Sequence, residues 1–257
     1  MGINNRTKVG EMYRFFVDKN QILENEIIIT GADVNHIKNV LRMKLSEEMI
    51  LSDGENCEYR CLIKGFSETE VLTEIMYKQE PGIELKSQIY LFQGLPKSDK
   101  MELIIQKAVE LGVFQIVPVA MKRSVVKLDS KKEANKLKRW RTIAESAAKQ
   151  AKRMIIPEVS GIKTFDEAVT MASSLDICLM PYEKAEDIKD TKAFLSTIEA
   201  GKSIGVFIGP EGGFAAEEVS AATDNAVKAI TLGKRILRTE TAGITMLSIL
   251  MFLMEEA

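Results

Sequence analysis

From residue 88 to the C-terminus, short apolar runs alternate with amphipathic helical patterns, and this alternation leaves few folds open. Strand-like runs occupy 88–94, 114–119, 175–180, 203–208 and 226–232, and helical spacing fills 101–111, 130–154, 192–199, 215–225 and 241–255. Strands that alternate with helices predict an α/β unit: a mostly parallel sheet with helices on both faces. The 130–154 helix opens on Ser130 and Glu133, the spacing of a capping box, and carries an apolar stripe of Leu137, Trp140, Ala144, Ala147, Ala151 and Met154. Thr164 and Glu167 repeat the capping signature before a further helix. The last helix is apolar nearly all round (Ile244, Met246, Leu247, Ile249 to Leu253), which predicts burial, part core and part interface between copies.

The first part of the chain reads differently. Runs at 26–30, 49–52, 57–66 and 71–76, with turn signals at Asp53-Gly54 and near Gly65, predict several short strands. Residues 31–44 carry helical spacing at Val34, Ile37, Val40 and Leu41. Close-set strands favour a small barrel or sandwich. Glu80-Pro81-Gly82 reads as a linker, dividing the chain into 1–80 and 81–257.

Ligands of open α/β sheets sit at loops leaving the C-terminal ends of strands. Two such loops stand out. One is Gly209-Pro210-Glu211-Gly212-Gly213-Phe214; the other is Leu232-Gly233-Lys234-Arg235-Ile236-Leu237-Arg238-Thr239-Glu240-Thr241-Ala242. Glycines let backbone approach a ligand closely, and the charged residues of the second loop suit a polar small molecule. The loops are neither a phosphate-binding P-loop nor a dinucleotide fingerprint. Gly201-Lys202-Ser203 precedes a strand and has Ser at position 196, and Pro210 and Glu211 separate Gly209 from Gly212. A Gly-x-Ser-x-Gly nucleophile elbow is also absent.

The net charge of −2 conceals an asymmetry. Residues 97–153 hold 15 Lys and Arg against 6 Asp and Glu, while the flanking regions are acidic. A basic block in an acidic chain points to a polyanion partner, with a solvated helix face as the plainer alternative. Cys57, Cys61 and Cys178 are too few and too irregular for a disulfide framework, and with His36 as the single histidine no metal site is expected. The polar start lacks a secretory pattern and the apolar run 244–253 is too short to cross a bilayer, so a cytoplasmic protein without membrane attachment is expected.

The two loops together resemble those of the SPOUT class of RNA methyltransferases, and nearly the whole chain resembles the RsmE family, which methylates N3 of a uridine in 16S ribosomal RNA. The resemblance is carried by Tyr13-Arg14-Phe15-Phe16-Val17, by His36 with Val40-Leu41-Arg42, and by Lys97, Lys100-Met101-Glu102, Gln106-Lys107 and Glu110-Leu111-Gly112. It continues through Arg123-Ser124, Trp140, Glu145, Gln150, Arg153 and Pro157 to Gly209–Phe214 with Glu217 and the loop from Leu232 to Ala242.

The resemblance implies an N-terminal PUA-like β-barrel, a C-terminal SPOUT domain containing a deep trefoil knot, a homodimer, and a bent S-adenosylmethionine held by three strand-end loops. The residues expected at the cofactor are Leu179, Met180, Pro181, Ile208, Gly209, Pro210, Glu211, Gly212, Gly213, Leu232, Gly233, Ile236, Leu237, Arg238, Thr241 and Ala242. Arg238 is expected to stabilise charge on a uridine carbonyl, with Glu240 or Glu211 orienting it or accepting the proton through water. Glu240 can equally be a helix-terminal carboxylate with no chemical part. Contacts to 16S rRNA in the small subunit are expected from Arg14, His36, Arg42, Lys97, Lys100, Arg123, Lys149 and Arg153; His36 has a local structural role as its alternative. Competing readings are a SPOUT enzyme acting on a ribose 2′-oxygen or another base, and a non-catalytic RNA-binding factor.

Overall fold

The structure is a computed structural model that describes residues 12–55, 57–79, 83–126, 129–185 and 187–255. It divides into two compact units. The first runs to Ile83 and includes Lys152–Ile155; the second comprises Glu84–Ala151 and the chain from Ile156 onward.

The first unit is a five-stranded sheet of β1 (Arg14–Phe16), β2 (Glu26–Thr30), β3 (Glu48–Ser52), β4 (Glu58–Phe66) and β5 (Glu70–Gln79), in the order β1-β3-β4-β5-β2. β1 runs parallel to β3 and the other pairs are antiparallel. Irregularities between Arg60 and Cys61 and between Ile63 and Gly65 interrupt the β4–β5 ladder, the kind of bulge that bends a sheet. Alternation along the strands sends Ile27, Ile29, Met49, Leu51, Ile63 and Val71 into one core, where Ile37 joins them from the helical segment. That segment is a single turn, α1 (Ala32–Asn35), continued by the wider turn His36–Val40 and closed by the Leu41 N–H on the His36 carbonyl at 2.8 Å. It is shorter than predicted because Arg42 adopts φ +55°, outside the helical region. Within this unit the buried Ser52 hydroxyl donates to the Met154 carbonyl at 2.9 Å.

The second unit is an all-parallel sheet of β6 (Gln88–Gly94), β7 (Gln115–Ala120), β8 (Glu158–Val159), β9 (Lys163–Thr164), β10 (Ile177–Pro181), β11 (Ser203–Ile208) and β12 (Val227–Ile230). The order is β12-β10-β11-β6-β7-β8, with β9 also on β7. Its helices are α2 (Lys100–Glu110), α3 (Ser130–Gln150), α4 (Phe165–Ala172), α5 (Ile188–Leu195), α6 (Ala216–Asp224) and α7 (Thr239–Met254). α2 packs on α3 and α7, and α4 packs on α6. Continuous apolar runs in β6 and β11 follow from burial on both faces, with Phe92 and Phe207 stacked at 4.5 Å in the core.

Several element ends differ from prediction. Asp129, not Ser130, caps α3, its carboxylate accepting from the Lys132 N–H at 2.9 Å, so Ser130 and Glu133 form no capping box. α3 stops at Gln150, and Lys152 at φ +59° turns the chain away, leaving Met154 outside the predicted stripe. The Thr164–Glu167 box forms as expected. α5 starts earlier than predicted, at Ile188, because Asp187 accepts from the Lys189 N–H at 2.7 Å. α7 is only partly buried: Met246, Leu247, Leu250 and Met254 point inward, while Phe252 is 79% exposed. Among the described residues no helix is long and apolar enough to cross a membrane.

Candidate functional site

β10, β11 and β12 are neighbours in the sheet, so the loops leaving their C-terminal ends converge. Between them lies a cavity of about 360 Å³, within the range of small-molecule sites. Pro181, Tyr182 and Glu183 line it from the first loop, Ile208 to Glu211, Gly213 and Phe214 from the second, and Thr231 to Thr239 with Ala242 from the third. Lys100, on the first turn of α2, completes the wall. Pro210 and Ile236, distant in sequence, face the same space.

Local chemistry fixes the second loop. The Gly213 N–H closes a tight turn on the Pro210 carbonyl at 2.9 Å, with Gly213 at φ +67°. Gly94, at the end of β6, allows Pro210 to sit against it; a Cβ there would lie 2.7 Å from the Pro210 nitrogen and Cδ. The Arg123 guanidinium donates to the Gly212 carbonyl at 3.0 Å. The buried Glu218 carboxylate accepts from the Lys122 N–H at 2.7 Å and the Ala215 N–H at 2.8 Å, tying the start of α6 to the segment after β7. A buried relay joins the second and third loops. The Thr239 hydroxyl donates to the Gly209 carbonyl at 2.6 Å and accepts from the Gln93 side-chain amide at 2.9 Å.

The polar side of the cavity is a charge cluster. Lys100 Nζ lies 3.1 Å from Glu211 Oε1 and 3.2 Å from Glu240 Oε2, and the Lys97 N–H donates to Glu211 at 3.1 Å. Burial pushes the Glu211 carboxyl up, but the loop amides and the Lys100 ammonium outweigh it and hold it below the usual carboxylate range. The hydrogen bond to Glu211 raises the Lys100 ammonium above its ordinary value, against a smaller desolvation effect, with Glu240 adding to it.

Of the residues expected at the cofactor, Pro181, Ile208, Gly209, Pro210, Glu211, Gly213, Leu232, Gly233, Ile236, Leu237, Arg238 and Ala242 line the cavity. Leu179 and Met180 do not: both are fully buried in β10, whose strand continues to Pro181 before the chain reaches the site. Gly212 turns toward Arg123, and Thr241 lies on the outer side of the first turn of α7. Sequence reasoning missed Thr239, Tyr182, Glu183 and the inward position of Lys100. Thr239 lay inside the loop the sequence singled out and Lys100 inside the basic block, but their inward positions, like those of Tyr182 and Glu183, depend on which loops the sheet order brings together.

The residues expected at RNA fall into two groups. His36, Arg42, Lys97 and Arg123 are exposed, with His36 set edge-on to Phe15 at 6.1 Å. Lys149 is half-buried and pairs with Glu145 at 2.9 Å. The other two are less accessible: Arg153 is buried, and Arg14 pairs with Glu58, whose side chain is 2% exposed. An ionised buried Glu58 needs such a partner. Cys61 and Cys178 are buried, and desolvation pushes each thiol up to about 11, so neither is a thiolate nucleophile at neutral pH.

Comparison with known proteins places this geometry. An RNA methyltransferase domain model matches residues 83–251, and an RNA methyltransferase PUA domain model matches residues 29–76. The chain is 37% identical to the ribosomal RNA small subunit methyltransferase E of Bacillus subtilis, covering 92% of this chain and 95% of that protein. It is 35% identical to the protein of that name from Mesomycoplasma hyopneumoniae, covering 92% and 98%. The crystal structure of a ribosomal RNA small subunit methyltransferase E from Neisseria gonorrhoeae, bound to S-adenosyl methionine, superimposes with a TM-score of 0.82 at 31% identity, covering 94% of this chain and 98% of that one. With matches of this length to both parts of the chain and to complete relatives, the chain belongs to the ribosomal RNA small subunit methyltransferase E family.

Proposed function

We propose that this protein methylates N3 of a uridine in the 16S rRNA of the small ribosomal subunit, with S-adenosylmethionine as donor. The observation that carries this reading is one cavity walled by three consecutive strand-end loops inside the region matched by the RNA methyltransferase domain. The cavity suits the donor: it has room for an adenosine, apolar walls at Ile208, Pro210 and Leu237, glycine backbone at 209, 213 and 233, and carboxylates at Glu183 and Glu211 to face a cation. When bound, the donor supplies an electrophilic methyl group, and the protein supplies position and electrostatics.

In this reading backbone groups of Gly209, Gly213, Leu232 and Ile236 hold the adenosine part, and Leu237 walls the adenine. Uridine N3 becomes nucleophilic as its proton leaves and charge spreads onto the flanking carbonyl oxygens. Arg238, exposed at the cavity rim and one residue before α7, stabilises that charge. Glu211, held below the usual carboxylate range by its donors, or Glu240, which shares Lys100 with it, takes the proton through water. Lys97, Arg123, Lys149, His36 and Arg42 contact phosphate or sugar and position the RNA without reading sequence.

The reading also includes a homodimer in the cytoplasm and a trefoil knot in the second unit. Phe252, 79% exposed, with Leu253 and Leu103 at 43% and 44%, supports an interface that includes α7 and α2. The deciding experiment incubates small ribosomal subunits that lack the modification with labelled donor, then digests the RNA to nucleosides. The expected product is 3-methyluridine. A 2′-O-methylated nucleoside would move the target to ribose, and absence of label would favour a non-catalytic RNA-binding factor.

A further inference from the structure

The basic residues of this chain are not equivalent, and Lys100 is the clearest case. Its ammonium is turned into the cavity, where it meets Glu211 from the second loop and Glu240 from the first turn of α7 at 3.1 and 3.2 Å. Three elements distant in sequence thus meet at one nitrogen. Two carboxylates that share a nitrogen lie close enough to repel strongly without it, and partial burial sharpens the repulsion. We infer that Lys100 is a positioning residue that bridges Glu211, which lines the cavity, to Glu240 and fixes the two carboxylates together, rather than a phosphate contact.

The inference deepens the methyltransferase reading and rests on it only for its kinetic arm. The other charged side chains at the cavity are Glu183, Lys234, Arg235 and Arg238, and Lys97 presents its amide to Glu211. All remain in each variant below, so a difference between K100M and K100R isolates the bridging charge.

The test follows carboxyl carbon resonances of the labelled, ligand-free protein through an acid titration, with E211Q and E240Q assigning the two signals. In K100M at least one of the two midpoints rises by about one pH unit or more, the size expected for close like charges; K100R keeps both near wild type. The acid limb of the kcat profile moves to higher pH in K100M and returns in K100R. The salt dependence of RNA binding keeps its slope in K100M, because no phosphate contact is lost. Unchanged midpoints in folded K100M, or a salt slope reduced by about one contact, would overturn the inference. If the wild-type protein methylates nothing, the methyltransferase reading fails, yet the titration still decides the role of Lys100.

Discussion

Thr239 donates its hydroxyl hydrogen to the carbonyl of Gly209 at 2.6 Å, joining the two loops that face the cavity from opposite ends of the sequence motif pair. Gln93, fully buried in β6, stands behind Thr239 and donates to it. The position of the α7 start, and with it Arg238 and Glu240, is therefore set against the glycine loop by a buried relay. Thr239→Val keeps the shape but leaves the Gly209 carbonyl and a Gln93 N–H without a partner, a loss of about 1–3 kcal/mol. Urea unfolding should show that loss, donor titration should show weaker binding, and Thr239→Ser should recover most of both.

Gly94 is tested by adding one methyl group. In Gly94→Ala the new carbon meets the Pro210 nitrogen and Cδ at 2.7 Å and the Met121 sulfur at 2.9 Å, and the proline ring and backbone cannot swing aside as a flexible side chain would. Overpacking of this kind costs about 1–3 kcal/mol. Because the displaced partner is the glycine loop itself, donor affinity measured by calorimetry should fall more than stability does.

Arg238→Ala separates binding from chemistry. The arginine lines the rim of the cavity and does not cap α7 through its side chain. Donor affinity should survive within a few-fold, while kcat falls by about two to three orders of magnitude, the usual loss on removing one donor to a developing oxyanion. Unchanged turnover would remove Arg238 from the mechanism.

The Lys100–Glu211 pair also carries a pH signature. Glu211 titrates below its ordinary 4.5 in the folded protein, so its stabilising contribution is complete above that value and is lost as pH falls through the lower folded midpoint. Lys100 titrates above its ordinary 10.5, so its contribution is complete below that value and is lost as pH rises through the higher folded midpoint. Unfolding free energies measured from pH 3 to pH 7 should fall less steeply on the acid side in Glu211→Gln than in wild type.

Phe252 is the place to test assembly. Among the described residues this large aromatic side chain on α7 is left 79% exposed. Phe252→Asp should shift the protein from dimer to monomer in light scattering at micromolar concentration and leave the melting temperature of the monomer near wild type. A wild type already monomeric at that concentration would count against the interface.

The sheet of the second unit was legible because β6 and β11 carry apolar runs (Ile89–Phe92 and Val206–Ile208) that sit between two helical layers, and their bounds match the predicted 88–94 and 203–208. The site of the glycine loop was legible for the same reason, since it follows β11 directly, and that of the loop from Leu232 to Ala242 was legible from the short run that becomes β12. Residues that depend on tertiary neighbours were not. Glu218 looks like an ordinary charged helix residue until Lys122 and Ala215 are brought to it. β1 pairs in parallel with β3, a partner that no local pattern announces, and β8 and β9 are too short for periodicity. Arg14 read as a free cation because its partner, Glu58, is far along the chain.

Residues Lys152–Ile155 belong to the N-terminal unit although the chain on either side of them belongs to the other. Cutting between Ile83 and Glu84 would strand the Met154 carbonyl without the Ser52 hydroxyl. A chimera that borrows its first eighty-odd residues from a relative must therefore borrow this downstream tetrapeptide too, and the two halves of the gene are not free to be shuffled as separate cassettes.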